Sequence, residues 1–172
     1  MSRPTKLHFS IPSLDASITA TLHWEEAPRT CAAVLAALPF TSKAFHGRNS
    51  GDEAVCLLPE CVGGVPQDAS EGGTEGHSRN MVLFGTEAAG SCYGGAAAGT
   101  SVSEVAWIYG PAAQAQYWVS EHGPPHTEPP FRFQKATLNH FATFDEATDK
   151  NFYKASGALQ RRGEQDIRIW AE

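Results

Sequence analysis

The feature that most constrains this chain is the alternation at its start. Leu7, Phe9 and Ile11 are separated by polar residues, and Ile18, Ala20, Leu22 and Trp24 repeat the same period after a break at Pro12 to Asp15. Successive side chains of a strand point to opposite faces, so a period of two gives one apolar and one polar face. Two such runs joined by a turn predict an antiparallel hairpin whose apolar face must be covered by more sheet.

The remaining residues supply that sheet. EEAPRTCAAVLAALPF, residues 25–40, predicts a short helix: Pro28 suits the first turn, Glu25 and Glu26 suit the positive end of the dipole, and Pro39 stops it. Val34, Leu35 and Leu38 form its apolar stripe. Strands are expected at 43–47 and 53–58, at 80–85, 104–110 and 114–120, in FRFQ at 131–134 and at 139–144, with a closing strand at 166–170. A second helix is expected before the last strand, with Phe152, Ala155, Ala158 and Leu159 at helical spacing and Gly163 as its stop. Residues 59–79, with five glycines and two prolines, read as a long surface loop, 90–99 as a Gly-rich insertion and 121–130 as a Pro-rich connection. About eight short strands with two helices predict a mainly β fold. A closed antiparallel barrel fits best, because closure removes exposed edges.

At 172 residues the chain fits a single domain spanning 1–172, with an expanded, loop-rich insertion at about 59–103. No apolar run approaches the roughly 20 residues of a membrane-spanning helix, and the first residues lack the unbroken apolar stretch of a signal peptide. A net charge of −6, with no Lys/Arg cluster beyond Arg161-Arg162, argues against nucleic acid and anionic membrane as partners. Cys31, Cys56, Cys61 and Cys92 show no C-x-x-C spacing and are read as reduced thiols in the cytoplasm. The glycines at 90–99 lack the G-x-G-x-x-G spacing of a phosphate cradle. No metal is expected either, since the prolines of H-G-P-P-H prevent the helix that would align His122 with His126. No cofactor is implied.

From Trp24 to Leu38, W-E-E-A-P-R-T-C-A-A-V-L-A-A-L resembles the helix start that follows the second strand of cyclophilins. The chain more closely resembles a family of uncharacterised bacterial proteins with a cyclophilin-like barrel. L-P-F-x-S-K at Leu38 to Lys43, H-x-R-x-S-G-x-E-A at His46 to Ala54 and N-H-F-A-T at Asn139 to Thr143 carry that resemblance. It implies a cyclophilin-like barrel, and its polar motifs imply a site. Prolyl isomerase activity is not implied: in Phe45-His46-Gly47-Arg48 the Arg is displaced by one position from the cyclophilin F-H-R, which turns a strand side chain to the other face, and the Q-G-G-D element is absent.

The candidate ligand-binding residues are His46, Arg48, Ser50, Glu53, Tyr109, Asn139 and His140. Within one turn, Arg48 offers bidentate hydrogen bonds to a carboxylate or amide, and His46 an acid or base. The plainer reading pairs Arg48 with Glu53 and leaves Ser50 and Asp52 to satisfy turn amides. Trp107 and Tyr109 are expected to fill the barrel interior, with a stacking wall for a ligand as the alternative. Ser50 does not read as a hydrolase nucleophile, since G-R-N-S-G is not G-x-S-x-G. If the two polar motifs form one site, His140 must lie within about 10 Å of the His46 to Glu53 turn, at the same rim.

These observations predict a small-molecule-binding barrel, with a catabolic pathway as one setting. One alternative is an enzyme using His46 or His140, either a residual prolyl isomerase or an amide hydrolase or lyase. Another is a protein-interaction subunit whose loops at 59–79 and 121–130 grip a partner enzyme. Self-association stays open.

Overall fold

The computed structural model describes residues 3–47, 50–88, 101–120 and 131–172. The opening alternation forms β1 (Lys6–Ile11) and β2 (Ala16–Leu22), joined by a short 3-10 turn at Pro12–Leu14. Then come α1 (Pro28–Ala36), β3 (Phe40–His46), β4 (Gly51–Leu57), the two-residue β5 (Gly73–Thr74), β6 (Met81–Ala88) and β7 (Ser101–Ala113). The chain ends with β8 (Gln116–Ser120), β9 (Phe131–Lys135), β10 (Leu138–Lys150), α2 (Phe152–Arg162) and β11 (Gln165–Ala171).

Eight strands run in the order β2-β1-β11-β3-β4-β7-β6-β10, and pairing of β2 with β10 closes the ring. Every ladder in it is antiparallel. The predicted closed barrel is therefore present. Its interior is apolar as the period of two requires: Leu7, Phe9, Ile18, Ala20, Ala44, Ala54, Val82, Phe84, Val105 and Trp107 are buried together. Phe9 packs edge-on to Phe144 at 5.1 Å, and Trp107 lies 5.7 Å from Phe152 of α2, so an aromatic cluster plugs that end. Such pairs each contribute about 0.5–1.5 kcal/mol beyond area burial.

The two helices close opposite ends. Because α2 follows β10 directly, it lies at the rim where β3 ends and β4 begins; α1 follows β2 and covers the other rim. Pro28 takes the first turn of α1 as predicted, but the N-cap residue Ala27 supplies no side-chain cap and no acid stands in the first turn of the helix. Glu71 fills that role from a distant loop. Its carboxylate accepts from Thr30 N at 2.9 Å, Thr30 Oγ1 at 3.0 Å and Arg29 Nε at 2.8 Å. The long surface loop expected at 59–79 holds a 3-10 turn, Ala69–Glu71, and β5, and Glu71 within it is 1% exposed. Gly163 ends α2 with φ 74° and donates its N–H to Leu159 O.

FRFQ does not join the barrel. Among the described residues β9 pairs only with β8, as a separate two-stranded ribbon, because an alternating pattern specifies a strand and not its partner. Ala115 and Ala136 at the ribbon's base belong to a second apolar layer with Val55, Leu83, Ala106, Ile108 and Leu138, on the outer face of β4, β7, β6 and β10. Among the described residues no helix is long and apolar enough to cross a membrane, and Cys31, Cys56 and Cys61 are free thiols. Residues 90–99 and 121–130, with Cys92, His122 and His126, lie outside the described residues.

Candidate ligand site at the mouth of the barrel

The turn between β3 and β4 begins at His46, whose cross-strand partner is Ala54, an interior residue. Directly opposed residues share a face, so the His46 imidazole is directed into the mouth of the barrel at the α2 end. On β7, Val105, Trp107 and Tyr109 alternate onto the same inner face, and Tyr109 is the last of them before the rim. The two strands bring His46 Nε2 to 2.6 Å from the Tyr109 hydroxyl, while Nδ1 lies 2.8 Å from the Gly47 carbonyl oxygen. A carbonyl can only accept, so Nδ1 carries the ring proton, Nε2 presents its lone pair and Tyr109 donates to it.

Burial holds the His46 pKa below the ordinary imidazole range, against upward pulls from the Gly47 carbonyl and Asp52. Burial pushes the Tyr109 phenol up to about 12, with the Asp52 charge adding to it. The pair is therefore neutral at pH 7. Asp52 accepts from Ala112 N at 3.2 Å and sits against Gly110, where any side chain would collide with its carboxylate. Glycine at 110 is what allows this acid to lie beside the dyad. Gly157 of α2 packs beside the Tyr109 ring, where a Cβ would stand at van der Waals contact, 3.4 Å away.

Ser50 and Glu53 belong to the same turn and are buried, 7% and 4% exposed. Both flank Gly47: a Cβ on that glycine would stand 2.9 Å from Glu53 Oε2 and 3.3 Å from Ser50 Cβ. The Ser50 carbonyl accepts from Gln114 N, which ties the turn to the end of β7. The ring nitrogens of His46 contact Gly47 O and the Tyr109 hydroxyl, so neither is bonded to Ser50. Arg48 lies outside the described residues.

The second polar motif is elsewhere. Asn139 is fully buried, opposite Phe84 on β6 near the α1 end; its amide donates to Thr30 Oγ1 at 3.0 Å and Pro66 O at 2.7 Å. His140 is opposite Leu83, a residue of the outer layer, and so faces outward. β10 and β3 stand four strands apart in either direction around the ring, on opposite sides of the barrel. The expected meeting of His140 with the His46 turn does not occur. A bulge after His140 aligns Phe141 and Ala142 inward together and leaves His140 and Thr143 on the outer face.

The structure thus brings His46, Tyr109 and Ser50 to one rim; Glu53 shares their turn but stands opposite Ile108 of the outer layer, and Asn139 and His140 lie apart from them. Asp52, whose charge acts on His46 and Tyr109, and Gly110, which leaves it room, are not among the sequence candidates; the signal for Asp52 is its place inside the polar turn.

An eight-stranded antiparallel barrel, with a helix at each end and a half-buried polar pair at one mouth, is the class of protein this chain defines. The chain belongs to DUF3830, a protein family of unknown function, whose match spans residues 9–109. Those residues run from β1 to Tyr109 and include the whole His46 to Glu53 turn. Among solved structures, the chain is similar to McbB in complex with tryptophan, with a TM-score of 0.63 and 13% identity over 95% of this chain. The chain spans only 44% of McbB. It is also similar to the hypothetical protein AF2241 from Archaeoglobus fulgidus, with a TM-score of 0.53 and 14% identity, covering 99% of this chain and 98% of that one. At these identities the likeness is one of fold. No curated protein sequence matches the chain.

Proposed function

We propose that this chain is a cyclophilin-like barrel that binds a small molecule at the α2-end mouth, with the His46–Tyr109 pair as its anchor. The observation that carries this reading is the 2.6 Å contact itself, a neutral, half-buried polar pair facing inward at the rim of an interior whose described residues are mainly apolar. Pockets for small ligands combine apolar walls with a few placed polar groups. With its proton given to His46 Nε2, the Tyr109 oxygen keeps lone pairs for an N–H or O–H of the ligand, and Asp52 beside it favours a donor over an acceptor. Arg48, by its place in the turn sequence, is the candidate for a ligand carboxylate or amide. That McbB was solved in complex with tryptophan supports an amino-acid-sized ligand. The free thiols of Cys31, Cys56 and Cys61 support a reducing, cytoplasmic setting.

The test is a thermal-shift screen of amino acids, aromatic acids, amides and cyclic ureides against the wild-type protein and Tyr109→Phe. A compound that raises the wild-type Tm and leaves the variant's unchanged supports the reading. Hits that stabilise both proteins equally refute it. The same pair could serve an enzyme, since the Tyr109–His46 bond is a ready path for a proton. Turnover of any hit, lost in His46→Ala, would favour that reading over simple binding.

A further inference from the structure

The outer wall at the closing seam carries a second polar arrangement that the proposed ligand site does not use. His23 stands just past the end of β2, held by its N–H to Phe141 O at 2.8 Å. His140 is held by its N–H to Gly72 O at 3.1 Å, and the bulge after it sets Thr143 on the same face. The Thr143 hydroxyl is 3.0 Å from His140 Nε2 and 3.0 Å from His23 Nε2, and the two rings lie 4.6 Å apart at 67°. Two imidazole nitrogens, from segments far apart in the chain, therefore converge on one point. The backbone bonds that aim them are independent of the rings.

We propose that His23 Nε2 and His140 Nε2, with the Thr143 hydroxyl between them, form a binding site for a divalent first-row transition-metal ion. The ion class follows from the donors: neutral imidazole suits copper, nickel and zinc, and Cu(II) binds more tightly than Zn(II) at a given nitrogen site. Among the described residues no three His, Cys, Asp or Glu side chains are clustered as a metal cage, so the hydroxyl and water complete the coordination. Glu26 acts electrostatically on His140 and adds a nearby negative charge. A hydroxyl with one proton can donate to only one of the two nitrogens, and the other must donate its own Nε2 proton to the oxygen. Metal binding moves that proton to Nδ1 of the same ring. Both Nε2 lone pairs are then free for an ion at the usual nitrogen distance of about 2.0–2.1 Å. His77 also neighbours His140, but its Nδ1 accepts from Ala115 N at 2.9 Å and its Nε2 lies 3.2 Å from Thr74 O, so both of its nitrogens are taken.

The experiment titrates Cu(II) and, separately, Zn(II) into the wild-type protein by calorimetry, and then into His23→Ala, His140→Ala and His77→Ala. The expected result is one site that binds Cu(II) more tightly, weakens at least about tenfold in either of the first two variants and is unchanged in the third. Long-range 15N–1H spectra of the unmodified protein need no variant to fold: substoichiometric Zn(II) should shift the Nε2 resonances of His23 and His140. Absence of binding, or binding that leaves those resonances in place and moves other histidines, overturns the proposal. Either outcome is independent of the His46–Tyr109 site.

Discussion

Replacing Glu71 by Gln tests how α1 is held on the barrel. The carboxylate is 1% exposed and receives every capping bond of the helix start: Thr30 N and Oγ1 on Oε2, Arg29 Nε and N on Oε1. Thr30 Oγ1 in turn accepts from Asn139, so the acid also orders the wall of β10. A glutamine keeps one oxygen and introduces an NH2 that faces only donors. Its better orientation keeps the oxygen on buried Thr30 and turns the NH2 toward Arg29, whose side chain is 56% exposed and can be rehydrated. Bonds to a charged acceptor contribute about 1.5–3 kcal/mol and neutral ones about 0.5–1.5 kcal/mol, so weakening two and losing the Arg29 pair costs about 3 kcal/mol. For a domain of this size that is a fall of roughly 6–12 °C in Tm. Urea denaturation followed by tryptophan fluorescence and circular dichroism, with the m-value unchanged, measures it. The effect depends on pH with a definite sign. Burial pushes the Glu71 pKa up, but the bonds from Arg29 and Thr30 outweigh it and hold the group below the usual carboxylate range. The stability it contributes is present above the unfolded-state pKa near about 4.3 and is lost as pH falls through the folded-state value, so wild type and variant converge in acid. A Glu71→Gln protein within about 1 kcal/mol of wild type at pH 7, with the same acid limb, would refute the reasoning.

Two further substitutions probe the end that carries the candidate site. Ser156→Ala leaves the buried Trp107 indole N–H, now 2.9 Å from Ser156 Oγ, without an acceptor, at an expected cost of about 1–3 kcal/mol by urea denaturation; a change under about 0.5 kcal/mol would contradict the bond. Gly51→Ala adds a side chain at φ 74° against the Ala112 carbonyl and should destabilise by at least about 2 kcal/mol and loosen the His46 turn, seen as faster amide exchange at Gln114.

The sequence carried the parts of the fold that local chemistry decides. Leu7, Phe9 and Ile11 fixed a strand and its inward face, Pro28 the start of a helix, and Gly163 the end of another. It could not reveal pairings set by the whole ring: FRFQ alternates as well as any barrel strand, yet among the described residues it pairs only with β8. The cap on α1 was hidden for the same reason, since Glu71 stands in a glycine-rich stretch with no periodicity and acts on residues 41 and 42 positions away. For the site, the clustering of His46, Ser50, Asp52 and Glu53 was visible because a turn brings sequence neighbours together. Joining His140 to them assumed that two polar motifs share a rim. The strand order places β10 and β3 on opposite sides of the barrel, and the bulge after His140 directs its ring outward.

Binding of a small molecule at the His46–Tyr109 pair is tested most directly by a long-range 15N–1H spectrum of the histidine rings, recorded with and without the strongest hit of the thermal-shift screen. Before addition, His46 should report protonation at Nδ1 and an unprotonated Nε2. On saturation its Nε2 resonance should shift as the Tyr109 hydroxyl takes on a ligand donor, while His23, His77 and His140 on the outer wall stay unmoved. A saturating ligand that shifts the outer-wall histidines and leaves His46 unchanged would contradict the assignment of the site.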